Sequence, residues 1–154
     1  MKRIALFPGT FDPFTKGHLS IVHRALNACA DEVVVAIGIN DTKRPLFSIE
    51  ERVAALEHIF RDEPRVKVAT YSCVTADFAE EIGASAIIRG IRSSMDFEFE
   101  KSIADVNRKM TGIETIILIT ELEFAHISST IVRDLIKFGK DISDFVPDPS
   151  VLKK

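Results

Sequence analysis

Eighteen residues in, the chain has already produced a run with chemical potential: PGTFDPFTKGH, from Pro8 to His18, directly follows an apolar beginning. Two prolines stiffen it, Thr10 supplies a hydroxyl and His18 an imidazole. A histidine at a helix start sits beside backbone N–H groups that favour an anion. The helix dipole lowers the pKa of His18 and a bound phosphate raises it. The expected role is donation to phosphate. Neither GxGxxG nor GxxxxGK[ST] occurs here, so neither a dinucleotide fingerprint nor a P-loop is supported. Asp12 ahead of Pro13 suits either a Mg²⁺ contact or an Asx turn.

Three more segments offer phosphate-type donors. In IIRGIRSS, residues 87–94, Arg89 and Arg92 flank Gly90, so two guanidinium forks can meet phosphate oxygens where the backbone approaches closely. Ion pairs with Glu98 or Glu100 are the alternative use of those arginines. Lys43 and Arg44 precede Pro45; taken alone, two basic residues in a loop more often belong to a solvated surface than to a site. HISST, residues 126–130, places hydroxyls at a helix start, where a simple N-cap also fits. Taken together, the segments predict a polyanionic ligand.

The elements that must carry these segments alternate. Short aliphatic runs at residues 3–7, 33–39, 66–70, 85–88 and 115–119 have the pattern of buried strands. Between them lie helical periodicities: Leu19, Val22, Leu26 and Cys29, and then Val53, Leu56 and Phe60, the latter opened by a Ser48/Glu51 capping box. A helix beginning near Asp96 puts Phe99, Ile103, Val106 and Met110 on one face, and Glu100 and Asn107 on another. Residues 75–82 suggest a short helix ending at Gly83. Ser128 or Ser129 caps one more, which runs to about Phe138 before Gly139. The alternation implies an α/β fold, a doubly wound parallel sheet of five strands in one domain over residues 1–154. Ligands of such sheets bind at the carboxyl ends of the strands. The tail from Pro147, with its terminal lysines, is expected to be irregular.

Composition narrows the partners. A net charge of −3 without a basic stripe argues against nucleic acid. No apolar run is long enough to span a bilayer, and Cys29 and Cys73 match no metal or disulfide spacing. A soluble, reducing, cytoplasmic setting is expected.

Together PGTFDPFTKGH, KRP (43–45), FSIEERV (47–53), IIRGIR (87–92), DFEFE (96–100) and ISST (127–130) resemble the bacterial phosphopantetheine adenylyltransferase family. Its superfamily, the nucleotidyltransferases of Rossmann-like fold, carries an [HT]xGH signature, matched by Thr15 to His18. The resemblance implies transfer of AMP from ATP to 4'-phosphopantetheine, giving dephospho-coenzyme A and pyrophosphate. It further implies Mg²⁺ and a homohexamer, with no protein metal ligand assigned.

Carried over position by position, the resemblance makes His18, Thr10, Lys43 and Arg92 catalytic. ATP would lie against Thr10, Phe11 and His18, against Gly90, Ile91, Arg92 and Glu100, and under Phe124, Ala125, His126, Ile127, Ser128, Ser129 and Thr130. Thr10, Lys43 and Arg89 would take the acceptor phosphate, and Val74 and Thr75 the pantetheine arm. Two departures stand out: His126 occupies an expected aromatic or small apolar position, and Arg44 replaces a common lysine. Rival readings are an adenylyl- or cytidylyltransferase for another phosphorylated acceptor, and a nucleotide-binding module without catalysis.

Overall fold

The computed structural model describes residues 1–40 and 42–152, so the two terminal lysines lie outside the described residues. Five strands, β1 (Ile4–Gly9), β2 (Glu32–Gly38), β3 (Val66–Tyr71), β4 (Ala86–Ile91) and β5 (Glu114–Ile119), form one parallel sheet in the order β3-β2-β1-β4-β5. Between and after them run α1 (Lys16–Ala28), α2 (Ile49–Ile59), α3 (Thr75–Glu81), α4 (Ser94–Thr111) and α5 (Ser129–Lys137).

Side chains alternate strictly across the sheet, as the two-residue period of a strand requires. Ala5, Phe7, Val33, Val35 and Ile88 enter one core with Ile21, Val22, Leu56 and Phe60 of the α1/α2 layer. Leu6, Val34, Ala36 and Ile87 enter the opposite core with Phe78 and Ala79 of α3. A third cluster, Ile127, Val132, Ile142 and Val146, seats α5 and the chain after it. Burial of both faces explains why the strands are continuous apolar runs.

The strand order reverses between β1 and β4, and there the pairing is shortest. Among the described residues β1 and β4 match only at Ala5–Ala86 and Leu6–Ile87, whereas β1–β2 pairs through six positions, as do β2–β3 and β4–β5. Beyond Leu6 and Ile87 the two strands diverge. The loops that leave their carboxyl ends therefore flank a crevice.

Several local expectations need correction. β4 continues to Ile91, so Arg89 and Gly90 are strand residues and not part of a following loop. Its extra length comes from full pairing with β5 through Ile91–Ile119. Helix α4 starts at Ser94 because the Ser93 hydroxyl accepts the Asp96 N–H, making Asp96 a first-turn residue and not the cap. The apolar stripe of α4 faces outward: Phe99, Val106 and Met110 are exposed, while Glu100 and Asn107 are buried. As far as Leu152 the tail is not irregular. Pro149–Val151 forms a 3₁₀ turn, and Asp148 meets His58 of α2 at 2.9 Å. Cys29 is only partly buried at the edge of the first core.

Leu56 of α2 is fully buried in the first core. Leu56→Ala should lower unfolding free energy by roughly 2–5 kcal/mol through lost burial and an unfilled cavity. Urea denaturation would measure it, and a loss below about 1 kcal/mol would mean that this part of the core repacks freely.

Candidate active site

Construction of the site starts with the strap from Pro8 to Phe14. A Cβ on Gly9 would meet the Phe11 ring at 2.8 Å, so glycine is what lets that ring fold back over the strand end. Phe11 takes a left-handed backbone conformation, φ 50°. That conformation costs about 1–2 kcal/mol for a residue with a side chain. Burial of its ring, in edge contact with Phe14 at 5.2 Å and tilted against Phe7 at 5.3 Å, offsets the strain.

Four donors from distant parts of the chain then fix the strap's carbonyls. Arg89 donates to Pro8 O at 2.6 Å, Arg52 to Thr10 O at 2.8 Å, Arg133 to Asp12 O at 2.9 Å and the Ser129 hydroxyl to Pro13 O at 2.8 Å. A loop with so many spoken-for acceptors is a rigid mount.

At the end of this mount, Thr15 and His18 form a capping box in which histidine replaces the usual glutamate. The Thr15 hydroxyl accepts the His18 N–H at 3.3 Å, and the Thr15 backbone N–H donates to Nδ1 of His18 at 2.9 Å. Because Nδ1 accepts, the proton of the neutral ring belongs on Nε2. The spacing T-x-x-H, identical to S-x-x-E, carries this signal in the sequence.

Phe7, Phe11 and Phe14 surround the imidazole, with ring centroids 6.2, 5.1 and 5.2 Å away. Burial lowers the His18 pKa to about 3, and the positive charges of Arg89 and Arg92 act in the same direction. One edge of the ring still reaches the cleft, so solvent there softens the effect. The histidine of this site is a neutral N–H donor.

Two clefts meet at Thr10 and Arg89. The first, about 320 Å³, is walled by Thr10, Phe11, His18, Gly90, Arg92 and Phe124, together with Ile127, Ser128, Ser129 and Thr130 from the start of α5. Gly90 belongs there for a steric reason, since a Cβ would lie 3.1 Å from Ile21 of α1. The second, about 450 Å³, is walled by Lys43, Tyr71, Val74, Thr75 and Asn107. Thr10, Arg89 and Glu100 border both. Arg89 makes a bidentate pair with the buried carboxylate of Glu100, at 2.8 and 2.7 Å, so the ion pair weighed from sequence forms within the crevice itself. Arg92 donates to Ile127 O at 3.2 Å and lies near Asp96.

Three expected nucleotide neighbours, Ile91, Ala125 and His126, are not among the residues walling either cleft. The His126 ring instead sits edge-on to Phe145, 6.1 Å away, which ties the chain before α5 to the third core cluster. Lys43 is exposed, on a loop that reaches the second cleft. Other lining residues went unselected in the sequence: Arg133 and Thr120 in the first cleft, Tyr71, Cys73 and Thr115 in the second. Thr115 Oγ1 is buried without a hydrogen-bond partner among the described residues. Asp12 proves to be neither an Asx turn nor exposed. Its two carboxylate oxygens accept the backbone N–H groups of Leu46 and Phe47 at 2.8 and 2.9 Å.

Residues 6–135 match the cytidylyltransferase-like family model. A phosphopantetheine adenylyltransferase of Phocaeicola vulgatus is 58% identical over 146 residues, covering 95% of this chain and 96% of that protein. Its counterpart in Bacteroides thetaiotaomicron is 53% identical with the same coverage. A solved structure described as a nicotinate-nucleotide adenylyltransferase, from Vibrio parahaemolyticus, superposes with a TM-score of 0.67 at 21% identity, covering 98% of this chain and 97% of that one; it supports the fold alone. The chain thus belongs to the cytidylyltransferase-like nucleotidyltransferases, and among them to the phosphopantetheine adenylyltransferases.

The lowered pKa of His18 has a consequence for stability. An unfolded histidine takes up a proton near pH 6.5, whereas the folded one resists until about 3. Stability is therefore complete above about pH 6.5 and falls as the pH drops toward 3. His18→Gln should flatten this acid slope. Urea midpoints at pH 7.5 and 5.0 would measure it, and equal losses in both proteins would contradict the assignment.

Proposed function

We propose that this protein catalyses transfer of AMP from ATP to 4'-phosphopantetheine, forming dephospho-coenzyme A and pyrophosphate in coenzyme A biosynthesis. The observation that carries this reading is the pair of clefts joined at Thr10 and Arg89, one edged by the α5 start and His18, the other by Lys43 and Val74. Its identity to the Phocaeicola and Bacteroides enzymes supports the choice of substrates.

An oxygen of the acceptor phosphate attacks the α-phosphorus of ATP in line, the bond to the bridging oxygen breaks, and pyrophosphate leaves. The attacking oxygen is already anionic at neutral pH, so no general base is required. What the protein must supply is alignment of two polyanions and donors for the charge of the transition state. His18 gives its Nε2–H to the α-phosphate without adding a titrating charge. Arg92 and the first N–H groups of α5, beside Ser128, Ser129 and Thr130, hold the leaving phosphates. Thr10 stands between the reactants, Lys43 draws in the acceptor phosphate as a mobile cation, and Arg89 contacts it from the shared wall. Glu100, with both oxygens on Arg89, aims that guanidinium. Adenine lies along Gly90 and under Phe124, and the pantetheine arm passes Val74 and Thr75.

The carboxylates bordering the nucleotide cleft accept protein donors: Asp12 from two backbone N–H groups, Glu100 from Arg89, and Asp96 from the Arg92 N–H. Such a site suits Mg²⁺ that arrives on the triphosphate, because this ion keeps phosphate and water ligands readily. The ion would neutralise triphosphate charge there. Cytoplasmic residence is in keeping with two free thiols, Cys29 and Cys73, and no described helix is long and apolar enough to cross a membrane. Support for a homohexamer comes from the outward stripe of α4, where Met95 is 83% and Phe99 64% exposed, more apolar surface than an isolated protein usually leaves bare.

Pyrophosphate release with Mg²⁺ tests the reading. Release is expected with ATP and 4'-phosphopantetheine, and not with nicotinate mononucleotide, phosphocholine or CTP in their place; release with another pair alone would overturn it. His18→Ala should lower kcat by roughly 10²–10³-fold, the usual effect of removing one transition-state donor, with an unchanged far-ultraviolet spectrum. Lys43→Ala should raise the KM for the acceptor more than that for ATP, as paired saturation curves would show.

A further inference from the structure

Two buried charges take no direct part in that reaction. Asp12 is 3% exposed and Arg52 5% exposed, and burial of either without partners would be strongly unfavourable. Their partners form one pattern. The N–H of Phe47 donates to Asp12 and its carbonyl accepts from Nε of Arg52, at 2.9 and 3.0 Å, so the backbone of one residue is gripped on both sides. Asp12 also takes the N–H of Leu46 at 2.8 Å, and Arg52 reaches across to Thr10 O at 2.8 Å.

These contacts join two loops that belong to different substrates. Asp12 lies in the strap between Thr10 and His18, and Leu46 is three residues beyond Lys43, with Pro45 between them. Proline shortens the repertoire of that link, and Phe47, 1% exposed, anchors its base in the core. The position of the exposed Lys43 is thereby referred to the strap that carries Thr10 and leads into His18, 33 and 25 residues earlier in the chain.

We infer that Asp12 and Arg52 are positioning residues for Lys43: they lock the acceptor loop to the nucleotide strap and set the relative placement of the two phosphates. The inference rests on the assignment of Lys43 to the acceptor phosphate. A displaced loop would leave ATP binding nearly intact and weaken acceptor use, and small misplacements are expensive in rate.

The test compares Asp12→Asn, Lys43→Ala and the double variant, with Arg52→Lys as a second probe that keeps the charge and loses the fork. Folding is checked by circular dichroism. Asp12→Asn, which turns one acceptor into a donor facing a backbone N–H, should raise the acceptor KM by roughly 10-fold, clearly more than it raises the Kd of ATP, whose cleft Asp12 also borders. Arg52→Lys should move both in the same sense. In the Lys43→Ala background, Asp12→Asn should add little further to the acceptor KM, because residues acting through one another are not additive. A purely structural role predicts instead additive losses, or equal losses for ATP and acceptor, and either overturns the inference. So does a wild-type acceptor KM in both Asp12→Asn and Arg52→Lys beside a damaging Lys43→Ala. A silent Lys43→Ala overturns the assignment of Lys43 itself, and with it the inference.

Discussion

Everything in the site depends on how the sheet is opened between β1 and β4. A parallel ladder that continued past Leu6 and Ile87 would bury the strand ends against each other. Instead the guanidinium of Arg89 stands in the gap, with one N–H on Pro8 O and two on Glu100. The ladder's missing hydrogen bond at Pro8 is supplied by a side chain, which satisfies a carbonyl that would otherwise be wasted at a strand end. Of the five N–H groups of an arginine, three are used in this way, and the remaining two are available to a ligand. The topological switch and the cation are therefore a single feature.

Around that opening the protein invests in stiffness more than in charge. The strap at the end of β1 is gripped by Arg52, Arg89, Arg133 and Ser129, so α2, β4 and α5 all help to hold it. The same economy governs His18. Three phenylalanine rings and a helix cap hold one imidazole in one tautomer, uncharged, with a defined direction. For a displacement between two anions, alignment and fixed dipoles are what a protein can add. The aromatic cluster that looks like ordinary core is the foundation of the chemistry.

The sequence revealed much of this and missed a specific remainder. All five strands were legible because a doubly covered parallel sheet needs uninterrupted apolar runs; the end of β4 was not, since Arg89 and Gly90 have no β-propensity and extend only by pairing with β5. The capping box at Ser48 was plain, while its counterpart at Thr15 was hidden by a histidine in the glutamate position. The apolar stripe on α4 was seen, but amphipathicity alone does not say which side meets protein, and Glu100 and Asn107 turned inward. Asp12, Arg52 and Arg133 were the least legible. Beside short-range bonds of Arg52 and Arg133 at the starts of α2 and α5, their defining partners are backbone atoms at sequence separations of 34 or more, and no spacing rule encodes such contacts.

The shared wall between the clefts has an evolutionary implication. Thr10, Arg89 and Glu100 border both chambers, so a change at any of them reshapes the two clefts at once. Variation that re-tunes one cleft alone is confined to the outer surfaces, where Tyr71, Val74, Asn107 and Thr115 border only the second. A lineage of such proteins can therefore reshape the second cleft while the first stays unchanged, and a ligand wedged against the common wall leaves it the fewest routes of escape.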